Sequence, residues 1–271
     1  MMAMKSLNGR DLADFIKERQ AKAVRSLRQG SGVAPKLAII RTNPDPVVDS
    51  YMRIKQGYGN DILVDVDVHT IDQKDALAAI HSLNNDTSVH GIIVQIPLPD
   101  PMQTDEILNA VVASKDVDGL ANASDFDPAT PVAVQWLLAG YDIELLGKHI
   151  VIVGNGRLVG KPLARMWKNS GLHVEVLDKQ TEDLPAKTIE ADVLVCATGV
   201  PALITSDMVK HGVVLVDAGV ATDSNGLVGD VAADVRARQD IIITPEKGGV
   251  GPLTVSALFE NVITAARKTV V

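Results

Sequence analysis

A single cysteine, Cys196, stands among the 271 residues. No disulfide framework can form within one chain, and a reducing, cytoplasmic setting is expected. Cys196 itself lies in "ADVLVCATG" and reads as a small buried apolar residue. Aromatic residues are scarce at 3% although hydrophobic residues reach 46%. Ala, Val, Leu and Ile must therefore build the core, which suits the aliphatic strands of parallel α/β layers. Long apolar runs are also missing. Charges or prolines interrupt each one, so no membrane span is expected. The opening stretch "MMAMKSLNGRDLADFIKERQ" carries acids early and does not read as a signal peptide. Positive charge is in deficit: 26 Lys and Arg against 34 Asp and Glu give a formal net charge of −8. That argues against a nucleic-acid partner. The six histidines, His69, His81, His90, His149, His173 and His211, lack metal-ligand spacing, and no metal is expected.

What is present is an alternation of strand and helix signals. Residues 9–29 pattern as an amphipathic helix that Gly30 and Gly32 stop. Strands are predicted over 36–41, 62–69 and 90–96, with helices through Tyr51 and Lys55, over 73–84 and over 103–112. After the proline-bearing stretch "DFDPATP" a second series begins. It comprises helix 132–139, strand 149–153, helix 158–170, strands 172–177, 191–196, 213–217 and 240–243, and a last helix over 252–268. Such alternation predicts parallel sheets with right-handed crossovers, in two α/β domains joined near residue 125.

In "HIVIVGNGRLVGKPLA" an aliphatic strand ends at Gly154, and Gly156 and Gly160 complete a glycine spacing before a helix. Glycines let backbone turn tightly against a pyrophosphate, and the helix start offers N–H groups and a positive dipole end. The next strand ends at Asp178, about 20 residues on, where an acid binds ribose hydroxyls and repels a 2′-phosphate. NAD is therefore favoured over NADP, with the neighbouring cations Lys179 and Arg157 as rivals able to pair with a phosphate.

In the first series Tyr51 and Lys55 are four apart and share a helix face. A phenol ring there suits a flat substrate, with the ammonium at its reacting edge; a surface pair is the plainer alternative. Gln95 ends an aliphatic strand, and open α/β sheets bind ligands beyond the carboxyl ends of strands. Asp116 and Asp118 flank Val117 in a glycine-ended loop, where turn chemistry is the competing reading.

These segments occur in one order: "Y-x-x-x-K" at 51–55, "GIIVQIPLP" at 91–99, "KDVDG" at 115–119, "GxGxxVGxP" at 154–162 and "GGVGPLT" at 248–254. Over nearly its whole length the chain resembles the bifunctional methylenetetrahydrofolate dehydrogenase/methenyltetrahydrofolate cyclohydrolase family, of the FolD type. The resemblance implies oxidation of 5,10-methylenetetrahydrofolate and hydrolysis of the methenyl product to 10-formyltetrahydrofolate. It implies that Lys55 serves the hydrolysis, Gln95 supports it, Tyr51 stacks on the folate and Asp118 binds the pterin. Gly249 and Pro252 fall on the substrate side, and Gly154, Asn155, Gly156, Arg157, Gly160, Asp178 and Lys179 on the cofactor. A folate is the implied small-molecule partner and a homodimer the implied assembly.

The implied fold is an N-terminal α/β substrate domain plus a Rossmann-type dinucleotide-binding domain, with the C-terminal helix returning to the first domain. The limits are 1–123, completed by 252–271, and 124–251. The chain departs from the family pattern at several points. Asn155 and Gly156 stand where an Arg–Ser pair helps hold NADP, "PATPVA" replaces "PCTPxG" at 128–133, and Val48 replaces a serine. A dehydrogenase of the same fold acting on another small acid, or a binding protein that has lost catalysis, are the alternatives.

Overall fold

The computed structural model describes residues 6–223 and 226–270. It divides into two compact units. One holds Asp14–Ala129 and the chain from Val255 onward; the other holds Thr130–Thr254 and the described residues up to Ala13.

The first series forms α1 (Gly9–Gly30), β1 (Lys36–Arg41), α2 (Pro46–Ile62), β2 (Asp65–Thr70), α3 (Ala76–Asn85), β3 (Gly91–Gln95) and α4 (Thr104–Asn109). Its sheet is parallel with order β2-β1-β3. β1 and β3 are aliphatic because both of their faces are covered: Leu37 to Ile40 are each 0% exposed. Ala38, Ile40, Ile92 and Val94 on one face pack with Ile80, Leu83, Ile107 and Leu108 from α3 and α4. The strand predicted over 62–69 begins only at Asp65. Ile62 still belongs to α2, and Leu63 turns the chain at φ 65°.

The second series forms α5 (Ala129–Gly140), β4 (Ile150–Val153), α6 (Gly160–Asn169), β5 (Val174–Leu177), α7 (Leu184–Thr188), β6 (Val193–Cys196), β7 (Val214–Asp217), β8 (Ala221–Asp223), β9 (Gly226–Val228), α8 (Ala233–Arg236), β10 (Ile242–Ile243) and α9 (Val250–Lys268). Its main sheet is parallel with order β10-β7-β6-β4-β5. The order reverses between β4 and β6, where doubly wound sheets open a crevice for ligands. Cys196 is 0% exposed, as an apolar core residue. The sequence did not signal α7, which is too short for a helical period. Asp183 caps it by accepting from Ala186 N, with a proline in the first turn.

The units depart from the expected limits at the N-terminus. Leu7 N donates to Ile243 O at 2.9 Å and Gly9 N to Gly248 O at 2.8 Å, while Ser6 bridges Ile243. Residues 6–9 thereby cover the open edge beside β10, a row of backbone groups left unpaired by the sheet. A Cβ on Gly9 would stand 1.9 Å from Gly249 O, so only glycine fits there. Residues 1–5 and Val271 of the expected limits lie outside the described residues.

From Val255 the helix α9 packs in the unit of the first series. Phe259 stacks on Tyr58 with ring centroids 5.0 Å apart. Tyr58 Oη lies 2.8 Å from Gln20 Oε1 and 3.0 Å from Ser256 Oγ. The expected return of the C-terminal helix to the substrate domain is what the structure has.

Candidate active site

Three elements of one unit bring the polar residues together. α2 carries Tyr51 and Lys55 one turn apart. Gln95 is the last residue of β3. Its amide is oriented locally, because Nε2 donates to Ile96 O at 3.1 Å and leaves Oε1 to accept from Lys55 Nζ at 3.0 Å. Asp118 comes from the loop after α4. That loop adds to the sheet edge: Ile92 N donates to Lys115 O at 2.7 Å, and Asp116 bridges Ile92.

The loop is held from four sides. Lys115 Nζ donates to the carbonyls of Leu83, Asn84 and Asp86 at the end of α3. Asp116 is 4% exposed and accepts from Ala121 N at 2.9 Å. Gly119 has φ 68°, and a Cβ there would meet Pro128 N at 2.7 Å. Asn261 of α9 donates to Val117 O at 2.9 Å and Asp127 O at 3.0 Å. Asp116 thus serves the turn, while Asp118 is left to the site. Neither Lys115 nor Asn261 was singled out from the sequence. Their role depends on carbonyls that only the fold assembles.

The electrostatics follow from enclosure. Lys55 and Asp118 are both half-buried. Burial lowers the Lys55 ammonium below its ordinary value, and the Asp118 charge pulls it back up. Burial raises the Asp118 carboxyl, and Lys55 opposes that shift. Burial also raises the Tyr51 phenol. An amine made easier to deprotonate, oriented by an amide and next to a carboxylate, is equipped to move protons.

Gly249 and Pro252, the other expected substrate residues, lie in the second unit. A Cβ on Gly249 would press on Thr244 Cβ at 3.0 Å, and Gly248 has φ 90°. Thr244 is fixed in turn: its Oγ1 accepts from Asp217 N at 2.9 Å, and its carbonyl accepts from Arg236 Nη1 at 3.1 Å. Arg236 also pairs with Asp217.

The glycine turn follows β4, at the reversal of strand order. A Cβ on Gly154 would meet Ala197 O at 2.4 Å, and one on Gly160 would meet Gly154 O at 1.8 Å. These two glycines serve close packing. At Gly156 a Cβ would meet nothing within 4 Å. That open space faces solvent beside the start of α6, whose N-cap Val159 supplies no side-chain cap. Asn155, Gly156, Arg157 and Lys179 are exposed. The turn fits an anionic dinucleotide, because backbone can approach it closely and the helix N-terminus favours negative charge. Asp178 is exposed after β5, with Oδ1 accepting from Gln180 N at 2.9 Å. One carboxylate oxygen therefore shapes its own turn. Among the described residues no group of three or more His, Cys, Asp or Glu is arranged to hold a metal ion. No described helix is long and apolar enough to cross a membrane.

Comparison with known proteins bears on this geometry. The family model for the tetrahydrofolate dehydrogenase/cyclohydrolase catalytic domain matches residues 7–118. The model for the NAD(P)-binding domain of the same family matches residues 128–270. The bifunctional protein FolD of Campylobacter jejuni serotype O:2 is 39% identical over 280 residues, covering 98% of this chain and 99% of that protein. A crystal structure of the Campylobacter jejuni enzyme superposes with a TM-score of 0.93 at 38% identity, over 98% of this chain and 99% of that one. A Trypanosoma brucei methylenetetrahydrofolate dehydrogenase-cyclohydrolase, solved with NADP cofactor and inhibitor, gives a TM-score of 0.92 at 28% identity, over 100% and 99%.

Proposed function

Because this chain belongs to the tetrahydrofolate dehydrogenase/cyclohydrolase family, we propose that it oxidises 5,10-methylenetetrahydrofolate and hydrolyses the methenyl product to 10-formyltetrahydrofolate. The observation that carries this reading is the 3.0 Å hydrogen bond from Lys55 to Gln95, with the Asp118 charge acting on the same ammonium.

Asp118 accepts from the donor pair of the pterin edge, as a carboxylate does in bidentate fashion. Tyr51, one turn before Lys55, offers its ring to the flat substrate. Hydride loss leaves a cation delocalised over N5 and N10, so the oxidation needs alignment of rings more than acid or base. When bound, the nicotinamide supplies the hydride acceptor. Asn155, Gly156, Arg157, Asp178 and Lys179 would hold the dinucleotide on the turn that the close packing of Gly154 and Gly160 shapes, and Gly249 and Pro252 serve the substrate side. Hydrolysis needs a proton taken from water as it adds to the methenyl carbon, and a proton returned to the departing ring nitrogen. The neutral amine of Lys55 takes the first proton and returns it, with Gln95 Oε1 fixing its direction.

NAD is the preferred cofactor in this proposal. Asn155 and Gly156 offer no cation to a 2′-phosphate, and Asp178 opposes one with like charge. We also place the enzyme in the cytoplasm, in line with its lone buried cysteine, and expect a homodimer, as the family resemblance implies.

The test is ultraviolet absorbance of the methenyl compound. With methylenetetrahydrofolate and NAD the absorbance is expected to rise; with the methenyl compound alone it is expected to fall faster than without enzyme. Absence of both changes with a folded protein overturns the proposal.

A further inference from the structure

We infer that Asp230 is a positioning residue of the dinucleotide site: its side chain and backbone clasp the loop after β6 and hold it against the glycine turn after β4. This rests on the dinucleotide reading above.

The local sequence accounts for the arrangement. Asp217 closes β7 in "DAG" (217–219), and Asp230 follows Gly229. Each glycine makes room for the other segment's acid. A Cβ on Gly219 would stand 2.0 Å from Asp230 Oδ1, and one on Gly229 would stand 2.1 Å from Asp217 Oδ2. Both oxygens of Asp217 are engaged. Oδ1 accepts from Gly219 N and Asp230 N, each at 3.1 Å, and Oδ2 accepts from Val231 N at 3.2 Å and from Arg236. Asp217 thereby fixes the backbone that carries Asp230.

Asp230 itself is bonded differently. It is 0% exposed. Oδ2 accepts from Thr198 N at 2.6 Å, while Oδ1 is buried without a hydrogen-bond partner. A buried acid with one oxygen unpaired is costly, and a hydroxyl or an amide could accept from the same N–H at less cost. What the charge adds is strength, because charge-assisted bonds are shorter and roughly twice as strong as neutral ones. That strength falls on a single loop amide, so the position of the loop is what the acid secures.

The loop borders the glycine turn. Asp230 O also accepts from Ile204 N at 3.0 Å, so one residue holds both ends of the segment 198–204. On its other side Ala197 N donates to Val153 O at 2.8 Å. Ala197 O occupies the space that a Cβ on Gly154 would need, at 2.4 Å. A loop that moves therefore moves the wall of the turn. The sheet order sets β6 and β5 on opposite sides of β4. The loop that Asp230 holds and the carboxylate of Asp178 thus flank the turn from opposite sides. Asp178 faces the 2′ position that distinguishes the two cofactors, and the Asp230 loop serves the part that they share.

The experiment measures Kd for NAD and for NADP by calorimetry, and KM for folate and dinucleotide, in the wild type, Asp230→Ala, Asp230→Asn and Gly219→Ala. Gly219 lies outside the left-handed region, so its replacement by Ala acts through the contact with Asp230 and pushes the carboxylate off Thr198. Asp230→Ala and Gly219→Ala are expected to weaken both dinucleotides alike by about tenfold, the yield of one charge-assisted hydrogen bond, with KM for the folate little changed. Asp230→Asn keeps an acceptor for Thr198 N and is expected to stay within about threefold of the wild type. Amide hydrogen exchange at Thr198, read with no dinucleotide added, should lose its protection in Asp230→Ala and keep it in Asp230→Asn. The inference is overturned by unchanged Kd in Asp230→Ala and Gly219→Ala, by equal weakening in the Asn and Ala variants, by a loss confined to NADP, or by an equal rise in folate KM. Should Asp230→Ala fail to fold, Gly219→Ala and Asp230→Asn decide by the same constants. A wild type that binds neither dinucleotide sinks the functional proposal and this inference together, whereas wild-type binding that the variants leave intact sinks the inference alone.

Discussion

At Lys55 two influences oppose each other: burial lowers the ammonium's pKa from the usual 10.5, and the Asp118 carboxylate raises it. Hydrolysis through the neutral amine should therefore rise with pH and level off below that usual value. Replacing Asp118 by Asn removes the raising influence, so the rising limb of kcat for hydrolysis is expected at lower pH than in the wild type. A limb that stays put, or moves up, contradicts the coupling. The same replacement turns one acceptor oxygen into a donor that opposes the pterin amino group, and folate affinity should weaken by about 2–4 kcal/mol, read by calorimetry. The depressed pKa also bears on stability. Between its folded and unfolded values the unfolded chain binds the extra proton, so Lys55 destabilises the fold at neutral pH and this cost fades as pH rises toward 10.5. Lys55→Met should melt higher than the wild type at pH 7, with the gap closing in alkali. At Asp178, removing the carboxylate by Asp178→Ser should shift the ratio of kcat/KM for NAD over NADP toward NADP by about tenfold, one like-charge repulsion of ~1.4 kcal/mol. An initial NADP preference would mean that Lys179 or Arg157 outweighs Asp178. Lys55, Gln95 and Asp118 were legible in the sequence as candidates because helix spacing, a strand end and a glycine-ended loop mark such positions; their roles are proposals. Lys115 was not, because its role depends on three carbonyls at the end of α3 that only the fold assembles.

At the scale of elements, the Asp118 loop depends on pieces distant in sequence. Its backbone is clasped by Asn261, 144 residues from Val117. No local pattern announces such a partner. The strands of the two parallel sheets were readable from aliphatic or alternating runs, and α2 and α9 from their helical period, but their ends shifted wherever a turn intervened, as at Leu63, and the short pair β8 and β9 went unread. Asn261→Ala strips two carbonyls of a donor and should cost about 1–3 kcal/mol of stability in urea unfolding. It should also raise KM for the folate more than KM for the dinucleotide, since the loop it steadies carries Asp118. Equal changes in both constants would show that Asn261 serves stability alone. The N-terminal segment teaches the same lesson. Residues 6–8 lie ahead of the first helix and look like a tail, yet Leu7 pairs with Ile243, and Gly9 at the helix start pairs with Gly248. Backbone-to-backbone pairing of that kind leaves almost no trace in side-chain choice.

Across the whole molecule, two parallel sheets each place their candidate site residues at strand carboxyl ends: Gln95 closing β3 in one, the glycine turn after β4 in the other. The central claim is that one chain performs two steps with different demands, alignment for hydride loss and proton movement for hydrolysis. Lys55 belongs to the second only. The most direct measurement takes purified, folded Lys55→Met and follows both absorbance changes at saturating methylenetetrahydrofolate and cofactor, then with the methenyl compound alone. Hydrolysis should fall to the uncatalysed rate while measurable hydride transfer remains. Loss of both activities together, or hydrolysis that survives the substitution, would contradict the assignment.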